Sequence, residues 1–129
     1  MKMPTQKQLE AMREMYPEGT AVKLLAMDDK FAPPVGTLGL VTHVDDIGQI
    51  HVNWQNGSSL ALIPDADSFC NVNAIKIICY GKTQLWEDRI AAMQEYYEGA
   101  MVCEGSERDR YLTIYNQLSE GKMVCTDEV

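Results

Sequence analysis

Between residues 5 and 16 the apolar positions recur every three or four residues, and Leu9, Met12 and Tyr16 fall on one helical face. Thr5 stands three residues before Gln8, a capping-box pair in which each side chain satisfies a free backbone N–H of the first turn. Pro17 and Gly19 stop the helix. A helix this short is marginal alone in water, so its stripe must dock on something. From Thr20 the period falls to two. Residues 21–27 read as a strand with Val22 and Leu24 on one face, and residues 28–35 as a loop fixed by Pro33-Pro34. A second strand is predicted at 38–44 and a third at 49–54, where Ile50, Val52 and Trp54 alternate with His51 and Asn53. Asp45 to Gly48 turns the chain between them, with Gly48 as the left-handed residue of a bulged hairpin. Asn56-Gly57 signals a two-residue hairpin into a fourth strand at 59–63. Pro64 ends that strand, residues 65–68 form a one-turn connector, and 69–72 form a short fifth strand. One helix and five short strands joined by tight turns predict an SH3-like five-stranded β-barrel with the helix over one opening. Closure would remove the exposed sheet edges.

Near residue 73 the pattern changes again. Residues 74–80 predict an Ile-rich strand, and Gly81-Lys82 turns it back through 83–86. Asp88 caps a helix reaching about residue 102, with Ile90, Met93, Tyr97, Ala100 and Met101 as its apolar stripe. Gly99 inside it marks either a break or a close helix contact. Ser106 with Asp109 resembles a capping box for a second helix, whose stripe is Tyr111, Ile114, Tyr115 and Leu118 and whose end is Gly121. Residues 122–126 give a last strand. The chain is therefore predicted to be α+β with two domains: 1–72, helix plus SH3-like barrel, and 73–129, a small β(β)ααβ lobe. A lobe of about 55 residues buries little core alone, so it is expected to lean on the first lobe or on a second copy of itself as a homodimer.

Charge narrows the function. The chain carries 11 Lys and Arg against 19 Asp and Glu, for a net charge of −8. Residues 1–72 have 5 basic and 9 acidic side chains and no basic cluster interleaved with aromatics, which speaks against binding RNA or DNA by a small barrel. No apolar run approaches the roughly 18 residues of a membrane span, and the polar start offers no signal peptide, so a cytoplasmic protein is expected. Cys70, Cys79, Cys103 and Cys125 form no C-x-x-C pair and are expected as reduced thiols.

The first half also resembles a known family. The segments Pro17-x-Gly19-Thr20, Met27-Asp28-Asp29, Ala32-Pro33-Pro34-x-Gly36-Thr37-x-Gly39, Val44-Asp45-Asp46-x-Gly48-Gln49-Ile50 and Val52-x-Trp54-x-Asn56-Gly57-Ser58-x-Leu60-x-Leu62-Ile63-Pro64 are similar to a small uncharacterised domain family. That family occurs in phages and in integrative or conjugative elements. The resemblance covers residues 1–70 and implies a genomic neighbourhood and a barrel fold, with no activity to carry over. Ile78-Cys79-Tyr80-Gly81, Glu104-Gly105-Ser106-Glu107-Arg108 and Val124-Cys125-Thr126-Asp127-Glu128 are similar to short accessory proteins of the same elements. Within the family pattern, Gly36, Gly39 and Gly48 sit where a barrel bends or turns, and Trp54 is an inward anchor.

Each candidate chemistry has a plainer competitor. His43 and His51 face each other on the outer side of the predicted hairpin, an incomplete ligand pair with no third donor evident. Asp28-Asp29, Asp45-Asp46 and Asp65-x-Asp67 could gather oxygen ligands, but Asp is also a favoured turn residue. No G-x-S-x-G elbow exists, and Gly36-x-x-Gly39 is too short for a phosphate loop. The sequence therefore predicts a non-catalytic protein that binds another protein, an accessory of a phage or mobile element, with no cofactor and no metal. Phe31, Tyr96, Arg108 and Tyr111 are the expected contacts. Phe31 lies in a loop, tyrosines are enriched at interfaces, and Arg108 sits in a helix first turn where a cation opposes the dipole. The alternatives are an acidic anti-defence inhibitor that mimics nucleic acid, and a nucleic-acid-binding barrel.

Overall fold

Helix α1, Gln6–Met15, opens the computed structural model, which describes residues 3–128. Both halves of the Thr5–Gln8 capping box form, at 3.1 Å and 2.9 Å. The chain divides between Val72 and Asn73 into two compact units.

In the first unit, β1 (Ala21–Ala26), β2 (Leu38–Val44), β3 (Ile50–Trp54) and β4 (Ser68–Asn71) form an antiparallel sheet in the order β3-β2-β1-β4. The alternation read for the first and third strands is the one observed: Val22, Leu24, Ile50, Val52 and Trp54 are buried in one cluster, joined by Val41 and Val44 of β2 and by Leu9 and Leu62. The predicted closed barrel is not present. Its fourth strand reduces to a single bridge between Leu62 and Ile50. The cause is local. The Leu60 carbonyl accepts from the Trp54 indole at 2.9 Å, its N–H donates to Ser58 Oγ, and the Ile63 N–H donates to Asp67 Oδ2 at 2.8 Å. Side chains thus take backbone groups that a strand would need for its ladder.

The Asn56-Gly57 expectation is corrected in the same place. Gly57 alone has positive φ, +91°, and Trp54 N–H donates to the Ser58 carbonyl, so the loop is three residues, 55–57. Gly39 differs from its expected role as well. It has no positive φ; instead an added Cβ would lie 2.5 Å from Val52 and 2.8 Å from Trp54. Its missing side chain lets β2 pass close under the β3 side chains.

In the second unit, β5 (Ile75–Cys79) pairs antiparallel with β6 (Lys82–Trp86) and parallel with the short β7 (Val124–Thr126). The turn is Tyr80-Gly81, one residue earlier than predicted, with φ of +53° and +75°. Helices α2 (Arg89–Val102) and α3 (Gly105–Ser119) complete the unit. Asp88 caps α2 as expected, through the N–H groups of Ile90 and Ala91. The predicted stripe of α2 is borne out only in part. Ala100 is buried and Met93 packs against the core as expected, but Ile90, Tyr97 and Met101 are exposed, and Ala92 and Tyr96 are buried in their place. The helix is apolar on two sides, so periodicity alone could not choose; the side rich in small alanines packs inward. The predicted Ser106–Asp109 box does not form either. Gly105, at φ +65°, starts α3 before Ser106, and the N-cap is Glu104 without a side-chain cap bond. Gly121 ends α3 as predicted: its N–H reaches Leu118 O and that of Lys122 reaches Gln117 O.

Candidate functional site

A recess of the first unit follows from how α1 is anchored. Leu9 is buried, and Arg13 donates to the Val44 carbonyl and to Asp46, which pins the helix beside the end of β2. Gly48 lets the 45–49 turn come up under the helix: a Cβ there would lie 3.0 Å from Pro4 and 3.8 Å from Met12. Beside this contact runs a groove of about 640 Å³, walled by Met3, Met12, Met15, Ile47 and Pro64. Met3, Met15 and Ile47 are 65%, 60% and 40% exposed, and among the described residues Asp65 is the one charged side chain along it. Sequence reasoning missed this face. The available signal was Gln8, Met12 and Met15, a second stripe on α1 beside the one carried by Leu9.

On the other side of the same turn, the register pairs His43 with His51 as the hairpin predicted. Their rings stack at 4.3 Å and 7°. A third group, not foreseen, joins them: Asp45 Oδ2 lies 2.8 Å from His51 Nε2, while Asp45 Oδ1 accepts the N–H groups of Ile47 and Gln49. Burial pushes the Asp45 carboxyl up, but the His51 ring and these two backbone donors outweigh it and hold it below its ordinary range. The acidic pairs otherwise close turns, with Asp29 accepting from Phe31 N–H and Asp67 from Ile63 N–H. Among the described residues no group of three His, Cys, Asp or Glu is placed to hold a metal ion.

The four residues expected to bind a partner are divided between the two units. Phe31 is in the first unit, 69% exposed, with Lys30 Nζ 4.9 Å from its ring. The other three are in the second unit. Tyr96 is buried in its core, and its ring meets Tyr111 edge-on at 5.9 Å. Burial, with the negative groups around it, pushes the Tyr96 hydroxyl up to about 12. Tyr111 is half-buried over Gly99, whose added Cβ would sit 3.3 Å from that ring. Gly99 is thus a close helix contact and not a break. Arg108 donates to the Ala100 carbonyl at 2.9 Å, so it caps the end of α2 from the start of α3. Arg110 pairs with Asp127 and lies 4.3 Å over the Tyr80 ring.

No helix among the described residues is long and apolar enough to cross a membrane. The sequence profile of a domain of unknown function, DUF4314, matches residues 5–72. No curated protein and no solved structure matches the chain. The matched stretch contains α1, all four strands of the first sheet, the stacked histidines and the groove beside α1 apart from its Met3 and Pro4 wall. It is more than half of the 129 residues, and by it the chain belongs to the DUF4314 family of domains of unknown function.

Proposed function

We propose that the protein is a non-catalytic binding module whose groove beside α1 receives an amphipathic helix of a partner protein, apolar on one face and basic on its flank. The observation that carries this reading is the groove itself: about 640 Å³, walled by methionine, proline and isoleucine side chains that remain exposed. Methionine is flexible and polarisable and adapts to varied apolar surfaces. An apolar helix laid into a groove is a recurring mode of recognition. Asp65 at the groove, and 9 acidic against 5 basic side chains through residue 72, favour a basic flank on the occupant.

Two finer readings accompany this. We read the first sheet as SH3-like, because the first and last strands are neighbours and Leu62 bridges to the free side of β3. We take the setting to be the cytoplasm of a cell carrying a phage or mobile element, on the sequence resemblance given above.

The test is photo-crosslinking. A benzophenone amino acid at Ala11, an exposed residue of the same groove, in the full chain expressed in its native host, should join one protein through a segment with apolar residues at helical spacing and flanking Lys or Arg. Met15→Glu and Ile47→Glu should abolish capture of that protein, whereas Tyr97→Ser in the second unit should not. Capture that survives both glutamates overturns the proposal. So does capture that nuclease treatment removes, which would point to nucleic acid.

A further inference from the structure

The second unit contains another recess, of about 290 Å³ and different chemistry. It exists because two side chains are small. Ile75 and Ile77 fill the inner face of β5, but the next inward position is Cys79, and on α2 the facing position is Gly99. The register puts Gln84 opposite Ile77 and Lys82 opposite Cys79, so both turn to the same face. Glu95 and Tyr96 from α2 and Tyr111 from α3 complete the walls.

Lys82 and Glu95 are exposed at this recess and carry opposite charges, and neither has an ion-pair partner among the described residues. The hydroxyls inside are weakly used. Tyr96 reaches Gln84 Oε1 and Tyr111 reaches Glu107 Oε1, each at 3.4 Å, near the limit of a hydrogen bond. The tyrosine rings supply apolar wall. The volume holds about ten non-hydrogen atoms, at the small end of ligand pockets. A plain anion would meet Glu95 and a plain cation would meet Lys82. A ligand carrying both charges on a short apolar body satisfies the pair together.

We infer that this recess binds a small zwitterion of the α-amino-acid class with an apolar side chain. Binding is non-covalent. Burial and the nearby Asp127 charge push the Cys79 thiol up, against a smaller opposing pull from Arg110, so Cys79 is a protonated wall and not a nucleophile. The inference is independent of the groove on the first unit.

The test is an NMR titration of the full chain with L-phenylalanine and L-leucine, and with phenylacetate and phenethylamine, which each keep one of the two charges. At least one amino acid should saturate and shift the amides of Lys82, Glu95 and Gly99. The single-charge compounds should bind at least about tenfold more weakly. Lys82→Gln and Glu95→Gln should each weaken amino-acid binding about tenfold, with unfolding midpoints unchanged because both side chains are exposed. Three results would overturn it: no saturation by either amino acid up to about 10 mM, equal binding of the single-charge compounds, or affinity indifferent to both substitutions.

Discussion

In the first unit the carboxylates act within a few residues of themselves, whereas in the second unit polar side chains reach across the fold. Asp29, Asp45 and Asp67 each accept backbone N–H groups two to four residues away. The exception is Arg13 of α1, which donates to the Val44 carbonyl of β2 and to Asp46. In the second unit Arg89, at the start of α2, donates to the carbonyls of Leu118, Lys122 and Gly121 at 2.8, 2.9 and 3.2 Å, closing the end of α3. Gln117 pairs both its amide groups with the N–H and C=O of Thr126, standing beside β7 as a neighbouring strand would. Asp127 accepts the Tyr80 N–H, 47 residues away, and pairs with Arg110. The first core is closed by aliphatic packing with local turns; the second is small and is tied by polar clamps. The two should therefore fail in different ways.

The largest expected effect is in the first unit. Gly39→Ala would put a methyl group 2.5 Å from Val52, 2.8 Å from Trp54 and 3.0 Å from the Asn53 carbonyl. Backbone cannot yield as a flexible side chain can, so the cost should be about 3 kcal/mol. Trp54 belongs to the first core and Trp86 packs against the second, so the Trp86→Phe and Trp54→Phe backgrounds each leave one reporter. Urea unfolding should show the Trp54 transition shifted strongly and the Trp86 transition unmoved. Equal shifts would mean that the units unfold as one, and the contrast would collapse.

Next in size is Arg89→Ala, which leaves the Leu118 carbonyl in the last turn of α3 and the Gly121 and Lys122 carbonyls just beyond it without their charged donor. Hydrogen bonds to charged groups contribute about 1.5–3 kcal/mol, so a loss of about 2 kcal/mol is expected, read by Trp86 and not by Trp54. Arg89→Lys should recover only part of it, because an ammonium lacks the planar fork that serves several acceptors at once. Full recovery with Lys would reduce the clamp to a simple charge effect at the helix end.

The same contrast explains what could be read in advance. Thr5 with Gln8, Asp88, Gly121 and the 45–49 turn were legible because each acts on backbone within one turn of itself. The inward face was legible in β1 at Val22 and Leu24 and in β3 at Ile50, Val52 and Trp54, where the alternation is regular, and not in β2, where the register shifts between Val41 and His43. What failed needed distant information. Asn56-Gly57 has the better hairpin composition, yet the two-residue turn with both φ positive is Tyr80-Gly81. Tyrosine is a poor choice for positive φ. It is held there by the Asp127 bond to its N–H and by Arg110 over its ring. The face of α2 was misassigned in part, Tyr97 for Tyr96, because the two are equally plausible inward until α3 brings Tyr111 against Tyr96. For the candidate sites, the histidine pairing was visible from loop length, but its Asp45 partner, the methionine groove and the recess at Lys82 and Glu95 depend on side chains meeting across elements.

The smallest effect is the most specific to the comparison, and it is read by acid. Each unit has one carboxylate held below its ordinary range: Asp45 as described, and Asp127 by the Tyr80 N–H first and the Arg110 guanidinium second, against burial. A carboxyl whose folded pKa is depressed contributes stability that is complete above its unfolded value, about 3.9, and is lost as pH falls through the lower folded value. Both units should therefore weaken below about pH 4. The consequence differs because the partners differ. Protonating Asp45 releases His51 and two N–H groups of its own turn, so the hairpin tip loosens while Trp54 keeps its environment. Protonating Asp127 frees the β5–β6 turn and α3 from the chain end together, so Trp86 should report it. Asp127→Asn should destabilise the second unit at neutral pH and flatten its acid dependence, whereas Asp45→Asn should lower the Trp54 transition by less, because Asp45 closes only its own turn. If Asp127→Asn kept the wild-type acid profile at Trp86, the long-range carboxylate would not be what ties the second unit, and the distinction between local and distant closure would rest on Arg89 and Gln117 alone.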